Sequence, residues 1–425
     1  MLLTEFWQQG HQAILPKPGH GAQNPSGLPE LIRTKCAFCS APLAHTAPRC
    51  GRCQIRLCNR ECQKLHWKAG HKKDCKKIEL GGGTEQYCAD TNCAEAIAVA
   101  VEECADDTKG QTCYICTEGA KRRHAPDEGL VRMCACRGTS GFAHISCLAE
   151  QAKILFMEAV DNNLSDKVKN ETWKRWHKCY LCEQDHHGIV RCALGWACWK
   201  TCLERAVWPK NGDQIRRMAM NVLGNGLQTA RRDEDALSVR IAEFDMIKRH
   251  GSSREKALAV LHNLASSYEA VGRFEDALGI QLNVYRNTLK YYGKQHEDSL
   301  NAAYNLAITL RRLGQFQEAR ALLRESISVA QRVRGPCDVR TLKMRWDYAN
   351  AVYMDPAATL DDLREAVTTL EETTRTGRRV MGRSHPLVLR FEQDLRNAQG
   401  ALRARETGDL NSLREAIEAM TAGDA

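Results

Sequence analysis

The sequence predicts a mainly α-helical chain in which small cysteine-rich modules precede an α-solenoid of helix–turn–helix repeats. Three observations predict it. Twenty of the 21 cysteines lie before residue 203, and only Cys337 lies beyond. The composition turns near the same place, from Cys, Gly and His to Ala, Leu, Arg and Glu. Beyond it, residues recur at an offset of 42: Asn263 and Asn305, Gly272 and Gly314, Ala277 and Ala319. At 425 residues the chain exceeds what one core organises. The expected order is an extension (1–33), a first cysteine module (34–78), a linker (79–110), a second module (111–186), a connecting helix (187–212), the repeats (213–405) and a tail (406–425).

The opening residues, MLLTEFWQQGHQAILPKPGH, show no basic start followed by an apolar core. No apolar run reaches the roughly 18 residues a membrane helix requires. The expectation is an intracellular chain, in cytoplasm and/or nucleus, with no membrane partner. Thiols stay reduced there, and metal explains this many cysteines better than disulfides do.

The first cluster contains Cys36-x2-Cys39, Cys50-x2-Cys53, Cys58-x3-Cys62 and His71-x3-Cys75. Zinc favours four tetrahedral nitrogen or sulfur ligands, and a CxxC turn offers two sulfurs from one loop. Cys58/Cys62 and His71/Cys75 are i, i+4 pairs, so each points to one side if its segment is helical. Four pairs make two closed sites with no position left for water, so their binding energy is folding energy. His66 sits one turn after Cys62 and rivals His71 as a donor.

Over residues 36–75 this order of pairs, with QKLHW between the last two, resembles the MYND zinc finger. The resemblance implies an interleaved cross-brace: Cys36, Cys39, Cys58 and Cys62 on one zinc, and Cys50, Cys53, His71 and Cys75 on the other. It favours His71 over His66. It also implies recognition of short, often proline-containing peptides, for which Gln63 and Trp67 are candidates. The plainer alternative is that Trp67 covers the zinc-built core and Gln63 is solvated. Lys64, Lys68, Lys72 and Lys73 are most simply a wet helix face.

The second cluster runs Cys113-x2-Cys116, Cys134-x-Cys136, His144-x2-Cys147 and Cys179-x2-Cys182. Eight donors again suit two closed sites, and the arginine and glycine after Cys136 let the backbone turn back sharply. The order, and the gap from Cys136 to His144, resemble the RING-CH variant of the RING finger over residues 113–182. That resemblance implies Cys113, Cys116, His144 and Cys147 on a third zinc, and Cys134, Cys136, Cys179 and Cys182 on a fourth. It implies recruitment of a ubiquitin-conjugating enzyme, with Ile115 as the apolar contact and no catalytic residue of its own. Two departures bear on activity. Trp173 and Trp176 lie far downstream of the family's tryptophan position, and Glu183 stands where many active RINGs place a cation. The insert between Cys147 and Cys179 is expected to hold a helix of its own.

Cys88, Cys93 and Cys104 form no knuckle, and Cys192, Cys198 and Cys202 fall in an apolar, helix-like run. They suit small buried apolar residues. An exposed loop accounts for His186 and His187.

In the repeats, HNLASSYEAVGRFEDAL (262–278) aligns with YNLAITLRRLGQFQEAR (304–320). Gly272 and Gly314 stop each first helix, and Ala277 and Ala319 admit close approach by the second. No pair buries its apolar face alone, so pairs must stack. A fourth unit ends late at Gly382, and DPAATLDD (355–362) accounts for the added length. The pattern resembles tetratricopeptide repeats of the kinesin light-chain type. It implies a groove for an extended peptide, with Asn263 and Asn305 as candidate contacts; bonding to neighbouring helices is the equal alternative. Arg311 and Arg312 suit an exposed charged face.

The formal charge is +9, and residues 1–80 carry 13 basic against 5 acidic residues, or +8. Two zinc ions and seven thiolates lower that +8 to about +5. Charge therefore gives little ground for a nucleic-acid partner. There is no glycine-rich phosphate loop, nucleophile elbow or carboxylate pair at catalytic spacing. The expectation is a zinc-binding adaptor holding four ions and binding peptide segments of other proteins; the alternative is a RING-type ubiquitin ligase.

Overall fold

Side-chain caps start several of these helices. Asn59 accepts from the backbone N–H of Cys62, Ser253 from Lys256, and Asp338 from Arg340 and Thr341. Thr359 and Asp362 form a reciprocal capping box at the head of the helix that begins within DPAATLDD. Gly272 and Gly314 take φ of +75° and +73°, the left-handed stop the repeats require.

The computed structural model describes residues 36–39, 41, 47–120, 128–204 and 212–407. The expected extension and nearly all of the tail lie outside them. The chain is mainly α-helical, and it divides into two compact units, Met1–Val271 and Gly272–Ala425. Among the described residues the β structure is limited to three isolated antiparallel bridges: Arg49 with Arg56, Val131 with Ala143, and Lys178 with Asp185. No described helix is long and apolar enough to cross a membrane.

The first unit begins with the cysteine module. Its short helices α1 (Arg60–His66) and α2 (Lys72–Leu80) are joined by a π-turn kinked at Gly70. Cys36, Cys50, Cys53, Ile55, Leu57, Cys62, Cys75 and Ile78 form a small core of their own. The segment expected as a linker contains a 20-residue helix, α3 (Thr84–Glu103). Thr84 ties its start to the module, its N–H and hydroxyl donating to the Cys53 carbonyl at 2.9 and 2.8 Å.

The second module contributes α4 (Ile145–Asp161) and α5 (Asp166–Trp173), so the insert carries two helices rather than one. Then follow α6 (Gly188–Leu203), α7 (Gly212–Thr229), α8 (Asp233–His250) and α9 (Arg254–Ala270). The helix expected over 187–212 stops at Leu203, and residues 205–211 lie outside the described set. One core runs through the second module, α3, α4, α6, α7 and α8, with Trp176, Trp196 and Trp199 fully buried. Burying one such side chain contributes on the order of 2–3 kcal/mol. Glycines bring α6 and α7 together. A Cβ on Gly195 would lie 3.0 Å from the Leu223 Cα, and one on Gly226 would lie 2.7 Å from the Arg191 carbonyl oxygen.

In the second unit, α10 (Phe274–Tyr292), α11 (Glu297–Arg312), α12 (Phe316–Arg334), α13 (Val339–Tyr353), α14 (Leu360–Met381) and α15 (Pro386–Thr407) each pack on the next. α11 also touches α13, and α13 touches α15, so the first helices of successive pairs line up as in a solenoid. Ala277 and Ala319 are fully buried.

Candidate metal centres

Three of the loops that carry donors are built alike. In each CxxC turn the first cysteine donates its N–H to the carbonyl five residues on: Cys50 to Ile55, Cys113 to Glu118, Cys179 to Gln184. Its own carbonyl accepts from the residue four on, and that residue takes positive φ: Gln54, Thr117 and Glu183. The loop thereby holds two sulfurs on one side.

Four groups of donors result: Cys36, Cys39, Cys58 and Cys62; Cys50, Cys53, His71 and Cys75; Cys113, Cys116, His144 and Cys147; Cys134, Cys136, Cys179 and Cys182. Within each, the ligand atoms lie within 4.8 Å of one another. A zinc ion with Zn–S of 2.3 Å and Zn–N of 2.0 Å sets tetrahedral edges of about 3.8 Å between sulfurs and about 3.5 Å between sulfur and nitrogen. The donors fit that size. Cys39 and Cys58 are 3.6 Å apart, Cys50 and Cys75 3.7 Å, and Cys136 and Cys179 3.7 Å. His71 Nε2 lies 3.3 Å from the Cys53 sulfur, and His144 Nδ1 lies 3.4 Å from Cys116 and 3.8 Å from Cys147.

The chemistry of the donors fits as well. His144 is fully buried, and its Nε2 lies 3.0 Å from the Gly119 carbonyl, which only accepts. Nε2 therefore carries the proton and Nδ1 turns its lone pair to the sulfurs. In the fourth group a hydrogen bond from Cys134 pulls the Cys179 thiol down to about 4, while the same bond pushes Cys134 up. Sulfurs this close share charge poorly without a cation, and a dication removes the conflict. Gly141 closes this group: at φ +86°, a Cβ there would stand 2.6 Å from the Cys136 Cβ. That glycine was not singled out in the sequence, although GTSGF offered it.

In the first module Cys58 precedes the cap Asn59 and Cys62 lies inside α1, while His71 ends the π-turn and Cys75 lies inside α2. His71 is buried and His66 stacks on it, ring centroids 4.7 Å apart, so His66 backs the donor set rather than joining it. Trp67 meets the His71 ring edge-on at 5.8 Å yet stays 38% exposed, and Gln63 is half-buried.

Ile115 is half-buried, packs against the core of the first unit and donates its N–H to the Cys113 sulfur. The matching turn of the fourth group offers more: Tyr180 is 50% and Leu181 48% exposed. Sequence reasoning missed both, though CYLC repeats the form of CYIC. Arg175 lies over the Tyr180 ring at 5.1 Å and pairs with Glu183 at 2.9 Å, so a cation stands beside the acid after the last donor. Trp173 and Trp176 are buried, which removes them from any surface role.

The spare cysteines Cys88, Cys93, Cys104, Cys192, Cys198 and Cys202 are buried outside the four groups. Burial pushes Cys93 and Cys192 up to about 11, the state of neutral packing residues. His186 corrects an expectation. It is buried rather than on an exposed loop, and burial pushes it down to about 4; His187 is exposed.

In the first unit Asn263 is half-buried on α9, and in the second Asn305 is half-buried on α11. Asp347, the repeat equivalent of Asn305, is buried and accepts from the Tyr304 hydroxyl at 2.6 Å, with Arg311 3.6 Å away. Arg311 is thus an interior residue and not part of an exposed face, because its carboxylate partner lies on the next first helix. Arg312 is exposed.

Residues 36–75 match the MYND finger family, residues 113–182 the RING-variant domain family, and residues 256–332 the tetratricopeptide repeat family. The chain carries a MYND finger, a RING-variant domain and tetratricopeptide repeats. The first two are zinc fingers, and the four Cys/His groups are consistent with zinc.

Two curated proteins are similar over short stretches. Ubiquitin carboxyl-terminal hydrolase 17 of Arabidopsis thaliana is 39% identical over 54 residues, 12% of this chain and 7% of its own length. Ubiquitin C-terminal hydrolase 15 of Oryza sativa subsp. japonica is 41% identical over 70 residues, 15% of this chain and 7% of its own length. The chain thus spans only a small part of either. Among solved structures, the kinesin light chain TPR-like repeats of Podosopora anserina are 21% identical, with a TM-score of 0.39, covering 51% of this chain and 96% of that one. BtubC from P. vanneervenii is 15% identical, with a TM-score of 0.41, covering 55% of this chain and 89% of its own.

Proposed function

We propose that the protein is a non-catalytic, intracellular zinc-dependent scaffold whose modules, bounded near 34–78, 111–186 and 213–405, each take a segment of a partner protein. In this reading the sixteen grouped donors hold four zinc ions in two cross-braces. The observation that carries it is the form of the sites: four protein donors each at tetrahedral spacing, with no position for a reacting water. Zinc there supplies folding energy and leaves the surfaces to do the binding. Gln63 and Trp67 are the proposed contacts of the MYND finger for proline-containing segments, and Asn263 and Asn305 those of the repeats for extended peptides.

The test is capture of peptides from a displayed library by the zinc-loaded full chain. Specific peptides lost separately on Trp67→Ala and on Asn305→Ala are expected. Failure to retain any specific peptide sinks the proposal.

One observation favours a second reading, a ubiquitin ligase. Ile115, Tyr180 and Leu181 offer apolar surface on matching turns of the RING-variant domain, with Arg175 over the Tyr180 ring. Autoubiquitination across a broad panel of conjugating enzymes decides it. Activity abolished by Leu181→Ala, by Ile115→Ala and by Cys134→Ser would establish the ligase; silence of the wild type across the panel discards it.

A further inference from the structure

We infer that the face of the MYND finger running from α1 into the π-turn takes a peptide whose apolar anchor is flanked by carboxylates. This rests on the peptide-binding reading above and specifies the partner's chemistry.

Arg60, Lys64, Trp67 and Lys68 are spaced i, i+4, i+7 and i+8, which places them on one side of a helix. All four are exposed, and none of the three cations forms an ion pair among the described residues. At 100° per residue, Trp67 borders the cationic strip on one side, while Glu61 and then Leu65, itself 44% exposed, follow on the other. Trp67 is not a loose side chain, because its edge rests against the buried His71 ring. A large aromatic surface that rests on a buried ring, beside three cations that pair with no acid among the described residues, fits an occupant that is apolar at its centre and acidic at its flanks. Such an occupant buries the rings while its carboxylates meet the cations at the rim. The stretch from residue 60 to 80 carries seven basic residues against Glu61, Asp74 and Glu79, so the surrounding field has the same sign.

A single-stranded nucleic acid fits less well. It spans about 4–16 nucleotides on successive aromatic platforms, and along Arg60–Lys68 Trp67 is the one exposed aromatic ring, with Phe38 the other among the described residues of the finger.

The test selects a random displayed 12-residue peptide library on the immobilised zinc-loaded full chain, counter-selected on its Trp67→Ala variant. Native mass spectrometry first shows that each variant holds four zinc ions. Peptides that depend on Trp67 are expected to carry net negative charge, and K64E combined with K68E is expected to erase that bias. A synthetic copy of the most enriched peptide should bind the doubly reversed variant roughly tenfold more weakly, with the difference shrinking at high salt. Should W67A lose a zinc ion, the doubly reversed variant serves as the counter-selection instead, and the acidic bias is read from the peptides it fails to retain.

Trp67-dependent peptides without an acidic bias overturn the inference while leaving the peptide-binding reading intact. So does a bias that survives the charge reversal, or tighter Trp67-dependent binding of a 20-nucleotide oligo-dT. No Trp67-dependent peptide at all overturns the MYND part of the parent reading, and this inference with it.

Discussion

Gly226→Ala and Gly400→Ala are the same chemical change in two helices, and the structure gives them opposite signs. In a free helix the change stabilises by about 1 kcal/mol, because alanine loses less backbone entropy on folding. Gly400 in α15 has that freedom, since a Cβ there meets nothing within 4 Å. Gly226 in α7 does not. Its Cβ would sit 2.7 Å from the Arg191 carbonyl oxygen and 3.0 Å from the Cys192 Cα, and both are backbone atoms of α6 that no rotamer change can move. Relief requires α6 and α7 to separate by roughly half an ångström, which forfeits about a quarter of the dispersion at that spot. Overpacking of this kind costs about 1–3 kcal/mol. After the propensity gain, a net loss of up to about 2 kcal/mol is expected for Gly226→Ala against a gain of about 0.5–1 kcal/mol for Gly400→Ala.

Hydrogen exchange read by mass spectrometry resolves the two helices separately, so global two-state unfolding is not required. Residues 188–203 and 212–229 should exchange roughly fivefold faster in Gly226→Ala, and residues 386–407 more slowly in Gly400→Ala. Stabilisation of α6 and α7 by Gly226→Ala refutes the reasoning that a backbone seam holds α6 against α7.

Three further outcomes follow from named contacts. Arg240 and Glu243 in α8 are both fully buried and paired at 3.0 Å, so Glu243→Ala should cost about 3–5 kcal/mol by leaving a buried charge alone. Arg240→Met with Glu243→Leu should be close to neutral by chemical denaturation, and a double variant as unstable as the single one contradicts this. Asp362→Asn keeps an acceptor for the Thr359 N–H but loses the charge that this cap and Arg320 share, and should cost about 1 kcal/mol at neutral pH. The Thr359 N–H and hydroxyl, with Arg320, hold the Asp362 carboxyl down to about 2, below its ordinary 3.8. Its stabilisation is therefore complete above pH 4 and lost as pH falls toward 2, so wild-type and variant melting curves should converge over that window. Cys134→Ser and Gly141→Ala should each reduce the native-mass zinc count from four to three, and a count of four in Gly141→Ala removes the close packing argued for that glycine.

The sequence by itself determined the donors and the repeats, because both are written at short range. CxxC turns place two sulfurs through hydrogen bonds within six residues, and a 42-residue period imposes the same helix boundaries on successive units, down to Gly272 and Gly314. The tertiary structure alone decided which neighbours each exposed-looking residue has. The segment after residue 79 reads as a linker because α3 is short of large apolar residues, yet Ala89, Cys93, Ala96 and Ala100 are small enough to lie flat on α6. Arg311 reads as surface until Asp347 comes up beside it, and His186 reads as loop until the core closes over it. Burial and charge compensation are properties of a pair of elements, and a partner many residues away in sequence leaves no local mark on the residue it covers.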